Sequence, residues 1–361
     1  MKYFACITLG LMGSLPLLGQ DSLSSPSCTP FQLTAYAEIY YIYDFSNPTD
    51  QNRPFFYSHH RHNEVALNLG FIRAACQTDR FRGNLAFMAG TYANANLANE
   101  PGVLRSILEA NIGIKLSAQR NVWLEAGIFN SHLGFENPIG AECWNMTRSL
   151  TAENAPYYLA GMKITYYLPN EKWHVGLLLL NGWQRMQRLT GTSVPALGHI
   201  ISWKPSAKFS LVSGSFIGND TPGQQIRYFH SGYAQLQLSK LWNWIVQIDT
   251  GLQQRGSSNG MHLWYAFTTV MRFQLPNKKW FIASRAEYYA DPDEVIVSTE
   301  KTDGFRVFGY SVNLDRYFGN YLLWRLEVRT LQSHRDAIFA KGENHAIKGN
   351  WFIGSCMALS F

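Results

Sequence analysis

The stretch Leu108-Glu-Ala-Asn-Ile-Gly-Ile-Lys-Leu116 alternates without a break. Leu108, Ala110, Ile112, Ile114 and Leu116 fall on one side, and Glu109, Asn111, Gly113 and Lys115 on the other. Successive side chains of an extended chain point to opposite faces, so period two marks a strand whose faces meet different surroundings. Glu64–Phe71 reads the same way, with Val65, Leu67, Leu69 and Phe71 on the apolar side. In Phe81–Tyr92, Leu85, Phe87 and Ala89 oppose Arg82, Asn84 and Gly90. No stretch shows a convincing helical period.

Sixteen segments of this kind follow one another from Thr34 to Phe361. Their connections alternate between short and long. Two short ones nearly repeat, Leu168-Pro-Asn-Glu-Lys-Trp173 and Leu275-Pro-Asn-Lys-Lys-Trp280. Long ones include Phe45–Asn63, Asn130–Pro156, Asn181–Ala196, Ala290–Gly304 and Gln332–Asn350. Such alternation describes an up-and-down meander, and an even strand number puts both chain ends on the short-turn side. A soluble sandwich could also alternate. However, the strands run to about 9–12 residues, enough to cross a bilayer at a tilt, whereas soluble strands average about 5–6. Aromatics also gather at strand ends: Tyr40, Tyr41, Tyr43, Tyr157, Tyr158, Trp173, Trp242, Trp280, Tyr288 and Tyr289. The expected fold is an all-β transmembrane antiparallel up-and-down barrel of about sixteen strands, with short periplasmic turns and long extracellular loops.

Composition agrees. The chain has 361 residues, 14% aromatics, 16% charged residues and a net charge of +6. That charge is mild and scattered, which gives no footprint for nucleic acid. Met1-Lys2 followed by an apolar run to Leu18 predicts a cleaved secretory signal peptide over residues 1–20. A short periplasmic segment, 21–33, and a barrel, 34–361, complete the expected organisation. Cys28, Cys76, Cys143 and Cys356 are far apart, with no C-x-x-C spacing, and are read as isolated small side chains.

Gly127-Ile-Phe-Asn-Ser-His-Leu-Gly-Phe-Glu136, Asn145-Met-Thr-Arg-Ser-Leu-Thr-Ala-Glu-Asn-Ala-Pro-Tyr-Tyr158 and Asn181-Gly-Trp-Gln-Arg185 carry a resemblance. With Ala35-Tyr-Ala-Glu-Ile-Tyr-Tyr41 and the Gly90–Gly113 region, they resemble the OmpL-like β-barrel porin family of Gram-negative outer membranes. The resemblance implies passive diffusion of small polar solutes through a water-filled lumen, without catalysis or cofactor. It implies outer-membrane lipid and lipopolysaccharide as surroundings, and a homo-oligomer is compatible with it. The terminal Phe361 resembles the signal read by the barrel-assembly machinery on the last strand. By analogy with porins of similar strand number, the long loop Asn130–Pro156 would fold inward and narrow the lumen. It carries His132, Glu136, Glu142, Arg148 and Glu153 as candidate constriction residues. Strand parity adds Arg82, Glu109, Lys115, Glu125, Lys163, Arg285, Glu287, Arg325, Glu327 and Arg329 as candidate pore-lining residues. Charges of both signs in a constriction would orient water and screen solutes.

Other constellations are weaker. His59, His60 and His62 could hold zinc or copper, but no Cys or carboxylate stands at ligand spacing apart from nearby Glu64. A solvated loop is the preferred reading, and no metal ligand is assigned. Asp291-Pro-Asp-Glu294 is read as a loop tip rather than a calcium site. A barrel enzyme acting on lipid or peptide would need a convergent triad, and Ser131-His132 are sequence neighbours that a strand would point apart. A structural or adhesive barrel with a closed lumen is the other alternative.

Overall fold

The computed structural model describes residues 31–191, 194–219, 225–254, 260–342 and 345–361. The expected signal peptide, most of the expected 21–33 segment and Cys28 lie outside the described residues. In chain order the strands begin with β1 (Phe31–Asp44), β2 (Val65–Gln77), β3 (Phe81–Ala89), β4 (Ile107–Lys115), β5 (Asn121–Asn130) and β6 (Tyr158–Tyr167). They continue with β7 (Trp173–Leu180), β8 (Ala196–Ser206), β9 (Phe209–Asn219), β10 (Ile226–Gln237), β11 (Trp242–Gln254) and β12 (Met261–Gln274). The last are β13 (Trp280–Asp291), β14 (Phe305–Phe318), β15 (Leu322–Ser333), β16 (Phe339–Lys341), β17 (His345–Ile347) and β18 (Gly349–Ser360). Two short helices, α1 (Thr91–Asn96) and α2 (Leu150–Glu153), sit in long connections.

Each barrel strand pairs antiparallel with the next, and β1 closes on β18, giving a ring of sixteen. The two-residue-period segments of the sequence correspond one to one with these strands. β16 and β17 form a separate small hairpin in the last long loop. The seam runs from Tyr36 opposite Ser360 to Asp44 opposite Phe352. Ala35 and Phe361 exchange backbone hydrogen bonds, at 2.6 and 3.0 Å, so the final residue is tied into the ladder.

The two near-repeated turns fold alike, and their residues show why. Proline presets the first turn position. Asn170 and Asn277 then accept from the backbone N–H of Lys172 and Lys279, at 3.0 and 3.2 Å. Glu171 and Lys278 adopt φ of 56° and 58°, and both turns close with the same 2.9 Å bond back to the leucine carbonyl.

The outer face is apolar: Ile112, Leu177, Ile248 and Val312 are exposed. The inner face is polar, with Glu125, Gln247, Asn313 and Glu327 buried. Aromatics ring the outer ends, as in the Trp173–Trp203 stack and the Tyr265–Tyr288–Phe308 run.

Several sequence expectations need correction. Val65 and Leu67 do not share a face with Leu69 and Phe71. The register slips at the bulge where Glu38 pairs Leu69 but Ile39 pairs Leu67, leaving Asn68 as the extra residue. Beyond it Leu69 and Phe71 turn inward and are buried. Tyr40, Tyr157, Tyr158 and Tyr289 are likewise buried and belong to no exposed outer girdle; the Tyr158 hydroxyl is covered by Glu100 of the β3–β4 connection. Strand β3 stops at Ala89 because Gly90 takes a φ of 131°, and a Cβ there would lie 2.3 Å from the Asn68 carbonyl oxygen.

Lipid outside and polar groups inside make opposite demands. Placing Arg at Ile248, midway along β11, should cost about 2–4 kcal/mol of folding free energy in vesicles. The same change at Leu252, near the strand end, should cost about 0–1 kcal/mol. Urea-titrated folding monitored by tryptophan fluorescence measures both.

Candidate functional site

The inward charges that strand parity singles out fall into two groups on the wall. On β2 to β6, Arg73 pairs with Glu109 at 3.1 Å. Arg82 and Lys163 share Glu125, at 2.5 and 3.4 Å. Lys115 is half-buried on the same face of β4. On β13 to β15 the network is denser. Arg285 reaches Glu287 at 3.3 Å and Glu327 at 3.2 Å, and Arg329 reaches Glu287 at 2.6 Å. Arg325 pairs with Asp315 at 3.0 Å. All of these second-group side chains are buried.

The second group also holds the segment after β5. Arg285 donates to the Thr147 carbonyl at 2.6 Å, and Arg329 to that of Arg148 at 2.7 Å. Glu327 accepts from the Thr147 N–H at 2.6 Å, and Glu287 from that of Leu150 at 2.6 Å. Arg325 donates to the carbonyls of Gly140, Cys143 and Asn145. The same segment meets other walls: Ala141 donates to the Tyr36 hydroxyl at 3.2 Å, and Phe135 to Gln247 at 3.2 Å. Side chains on β1, β11 and β13–β15 thus grip one loop.

The five loop candidates have distinct placements. Arg148 is fully buried and donates to the carbonyls of Asn137, Met146 and Pro138, so its charge braces the loop from within. Glu136 accepts from the Ser149 N–H and hydroxyl, at the helix cap of α2. His132 contacts the Ser215 carbonyl at 2.8 Å, and burial holds its ring down at about 4, hence neutral. Glu142 remains exposed and accepts from Asn137. Glu153 accepts from the N–H groups of Tyr57, at 2.7 Å, and Ser58, at 3.3 Å, joining this loop to the first one. Its burial outweighs both donors and pushes the carboxyl up to about 7.

Asp315, Asn313, Tyr36 and Glu38 belong to this interior and were missed from the sequence. Parity could have flagged Glu38, which shares its face with Tyr36 and Tyr40. Asp315 fell beyond the expected end of its strand at Leu314. The histidine loop departs from the solvated expectation: His59 and His62 are wholly buried. His62 accepts from the Asp44 N–H at 2.9 Å, and His60 contacts the Tyr57 carbonyl at 3.2 Å. Asp291 binds the N–H groups of Val295, Ile296 and Val297, which makes it a loop brace.

A closed sixteen-strand barrel, apolar outside and charged inside, defines an outer-membrane porin. The family model described as "Putative beta-barrel porin-2, OmpL-like" matches residues 30–361, and the chain belongs to that family. It is a passive-diffusion channel of the Gram-negative outer membrane. Solved structures similar to it include the anion-selective porin from Comamonas acidovorans, at 8% identity and TM-score 0.59, covering 92% of this chain and 99% of that one. The outer membrane channel DcaP of Acinetobacter baumannii is similar at 11% identity and TM-score 0.59, covering 92% and 97%. OmpT of Vibrio cholerae is similar at 8% identity and TM-score 0.57, covering 92% and 97%. At such identities these likenesses speak for the fold. A comparison with curated proteins returns no match.

Arg325→Ala should release the Gly140–Asn145 stretch, because three loop carbonyls lose their buried donor and Asp315 is left with Arg272 and Asn313 alone. Breaking a buried pair in this way costs about 3–5 kcal/mol. Limited proteolysis of the folded barrel should then cut within this loop while the wild type resists.

Glu153 predicts a pH effect. Its native value, about 7, lies above the ordinary 4.5, so its stabilising contribution is full below 4.5 and is lost as pH rises through 7. Hydrogen exchange at Tyr57 and Ser58, corrected for intrinsic rate, should show weaker protection at alkaline than at acidic pH. Glu153→Gln should flatten that dependence.

Proposed function

We propose that the Asn130–Pro156 segment narrows the aqueous lumen, and that solutes are screened there by size and by fields of both signs. The observation supporting this reading is the grip of Arg285, Glu287, Arg325, Glu327 and Arg329 on the loop backbone at Gly140–Leu150. A loop held only at its ends would drift out of the path. One whose carbonyls and N–H groups are bonded to buried wall charges acts as a fixed shelf. Glu142 is the exposed carboxylate on that shelf, whereas Arg82, Lys115, Glu125 and Lys163 line the opposite wall. The solutes are small and hydrophilic, moving down their gradients.

The chain works as a channel rather than an enzyme. Ser131 Oγ accepts from the Leu133 N–H, and the His132 ring turns to the Ser215 carbonyl, so the pair forms no nucleophile and base. Residues 1–20 serve as the cleaved export signal. The last strand, ending at Phe361, addresses the chain to the barrel-assembly machinery, and the apolar belt meets lipid and lipopolysaccharide. A homo-oligomer fits the same architecture.

Planar-bilayer recording tests the shelf. A variant with residues 137–152 replaced by a short Gly/Ser linker should show single-channel conductance at least about twofold above wild type, in the aqueous-pore regime of such barrels. Equal conductance, or no channel events from folded wild type, would defeat the proposal.

A further inference from the structure

Three donors from distant parts of the chain meet inside the barrel wall at the β1–β18 seam. Glu38 points inward from β1, Cys356 from β18, and His59 from the loop between β1 and β2; all three are buried. His59 Nε2 lies 3.4 Å from Glu38 Oε1, and Cys356 Sγ lies 3.8 Å from the same oxygen. One donor atom from each falls within 4.8 Å of the other two. Bonds of about 2.0–2.3 Å in a tetrahedral site put neighbouring ligand atoms about 3.3–3.8 Å apart. Two edges of such a site are therefore already at length.

A second, independent observation points to a ligand. The His59 ring is completely buried, yet among the described residues Nδ1 has no hydrogen-bond partner and Nε2 meets only Glu38 Oε1, at a long 3.4 Å. Its closest ring neighbour is Tyr40, edge-on at 4.9 Å. A buried imidazole this poorly bonded is costly unless something else engages it. The chain also adopts uncommon geometry to place it. His59 has a φ of 54°, a left-handed conformation that non-glycine residues avoid. Glu38 stands opposite the β-bulge of β2, which re-aims Asn68 toward it.

Asn68, the extra residue of that bulge, holds two of the three donors. Its side-chain Nδ2 donates to Glu38 Oε2 at 2.8 Å, and its side-chain Oδ1 accepts from the His59 backbone N–H at 2.9 Å. Partners that orient ligands from outside the coordination sphere are a general feature of metal sites. Gly140 supplies clearance, since a Cβ there would come within 2.0 Å of Glu38 Oε1.

We propose that Glu38, His59 and Cys356 bind one zinc ion, which clips the first loop to the seam between the first and last strands. A carboxylate and a thiolate together match the charge of a divalent cation, and an N/O/S donor set suits zinc. Binding forms the Zn–S bond and breaks the Cys356 S–H bond, its proton passing to solvent. Water completes the fourth position. His60 and His62 take no part, because their rings face Tyr57 and Asp44. The inference is independent of the pore reading.

The test uses the full mature chain refolded in detergent with Co²⁺ or Zn²⁺, then freed of excess metal on a desalting column. Folding is scored by heat-modifiable migration on gels. Wild type should retain about one metal per chain, and the cobalt form should show a near-ultraviolet thiolate-to-metal band. Cys356→Ser should abolish that band, and His59→Gln should cut retained metal at least tenfold, while Cys76→Ser and His60→Ala behave as wild type. His59→Gln decides the matter if Cys356→Ser fails to fold, since it alters only a loop. Folded wild type without metal, or a folded His59→Gln that keeps it, overturns the proposal.

Discussion

Hydrocarbon offers a backbone amide no partner, and each unpaired N–H or C=O there costs several kcal/mol, roughly 2–7 by transfer estimates. The barrel answers this at one place. Fifteen of the strand pairings join neighbours in sequence, but the sixteenth, between β1 and β18, must bring the two ends of the chain together. Only then does the sheet lose its edges. Register along that seam, from Tyr36–Ser360 to Asp44–Phe352, fixes which side chains face lipid and which face inward all round the ring.

Once the ring is closed, the inner wall can carry charges that lipid would reject. The Arg285–Glu287–Glu327–Arg329 network is buried more deeply than a simple wet wall would need. Taking so many charges out of water is expensive, and mutual attraction offsets it only where further hydrogen bonds fill the remaining donors and acceptors. Here the loop backbone supplies them: carbonyls of Thr147 and Arg148 and N–H groups of Thr147 and Leu150 complete the network. Wall and loop therefore satisfy each other. That mutual dependence explains how a 27-residue connection acquires a single conformation.

Strand positions were legible in the sequence because period two survives any local detail. The pattern reappears from Glu109 onward as an exposed Ile112 and Ile114 against a buried Glu109 and Asn111, whereas Leu108, expected on the outer face, is the extra residue of a second bulge and is buried. The face of Leu69 and Phe71 was not legible. One extra residue, Asn68, reverses the phase, and no composition signal announces a bulge. Parity identified Arg285, Arg325 and Arg329 as inward charges. It says nothing about which neighbour each one meets, since partners such as Gly140 or Thr147 lie far away in sequence. Tyr40, Tyr157 and Tyr158 were misassigned to an exposed outer girdle for a related reason: an aromatic near a strand end is buried once loops fold back against it. The approach of His59 to Glu38 and Cys356 spans almost the whole chain, and only closure of the ring brings it about.

A single-cysteine scan along β11, in a background lacking the native cysteines, tests the two-sided wall most directly. Each variant carries a fluorophore and is folded into vesicles containing a lipid-borne quencher. Labels at Trp244, Val246, Ile248 and Thr250 should be quenched strongly, and those at Ile245, Gln247 and Asp249 weakly, in strict alternation. Equal quenching at both sets of positions would contradict a barrel wall with hydrocarbon on one face and a polar interior on the other.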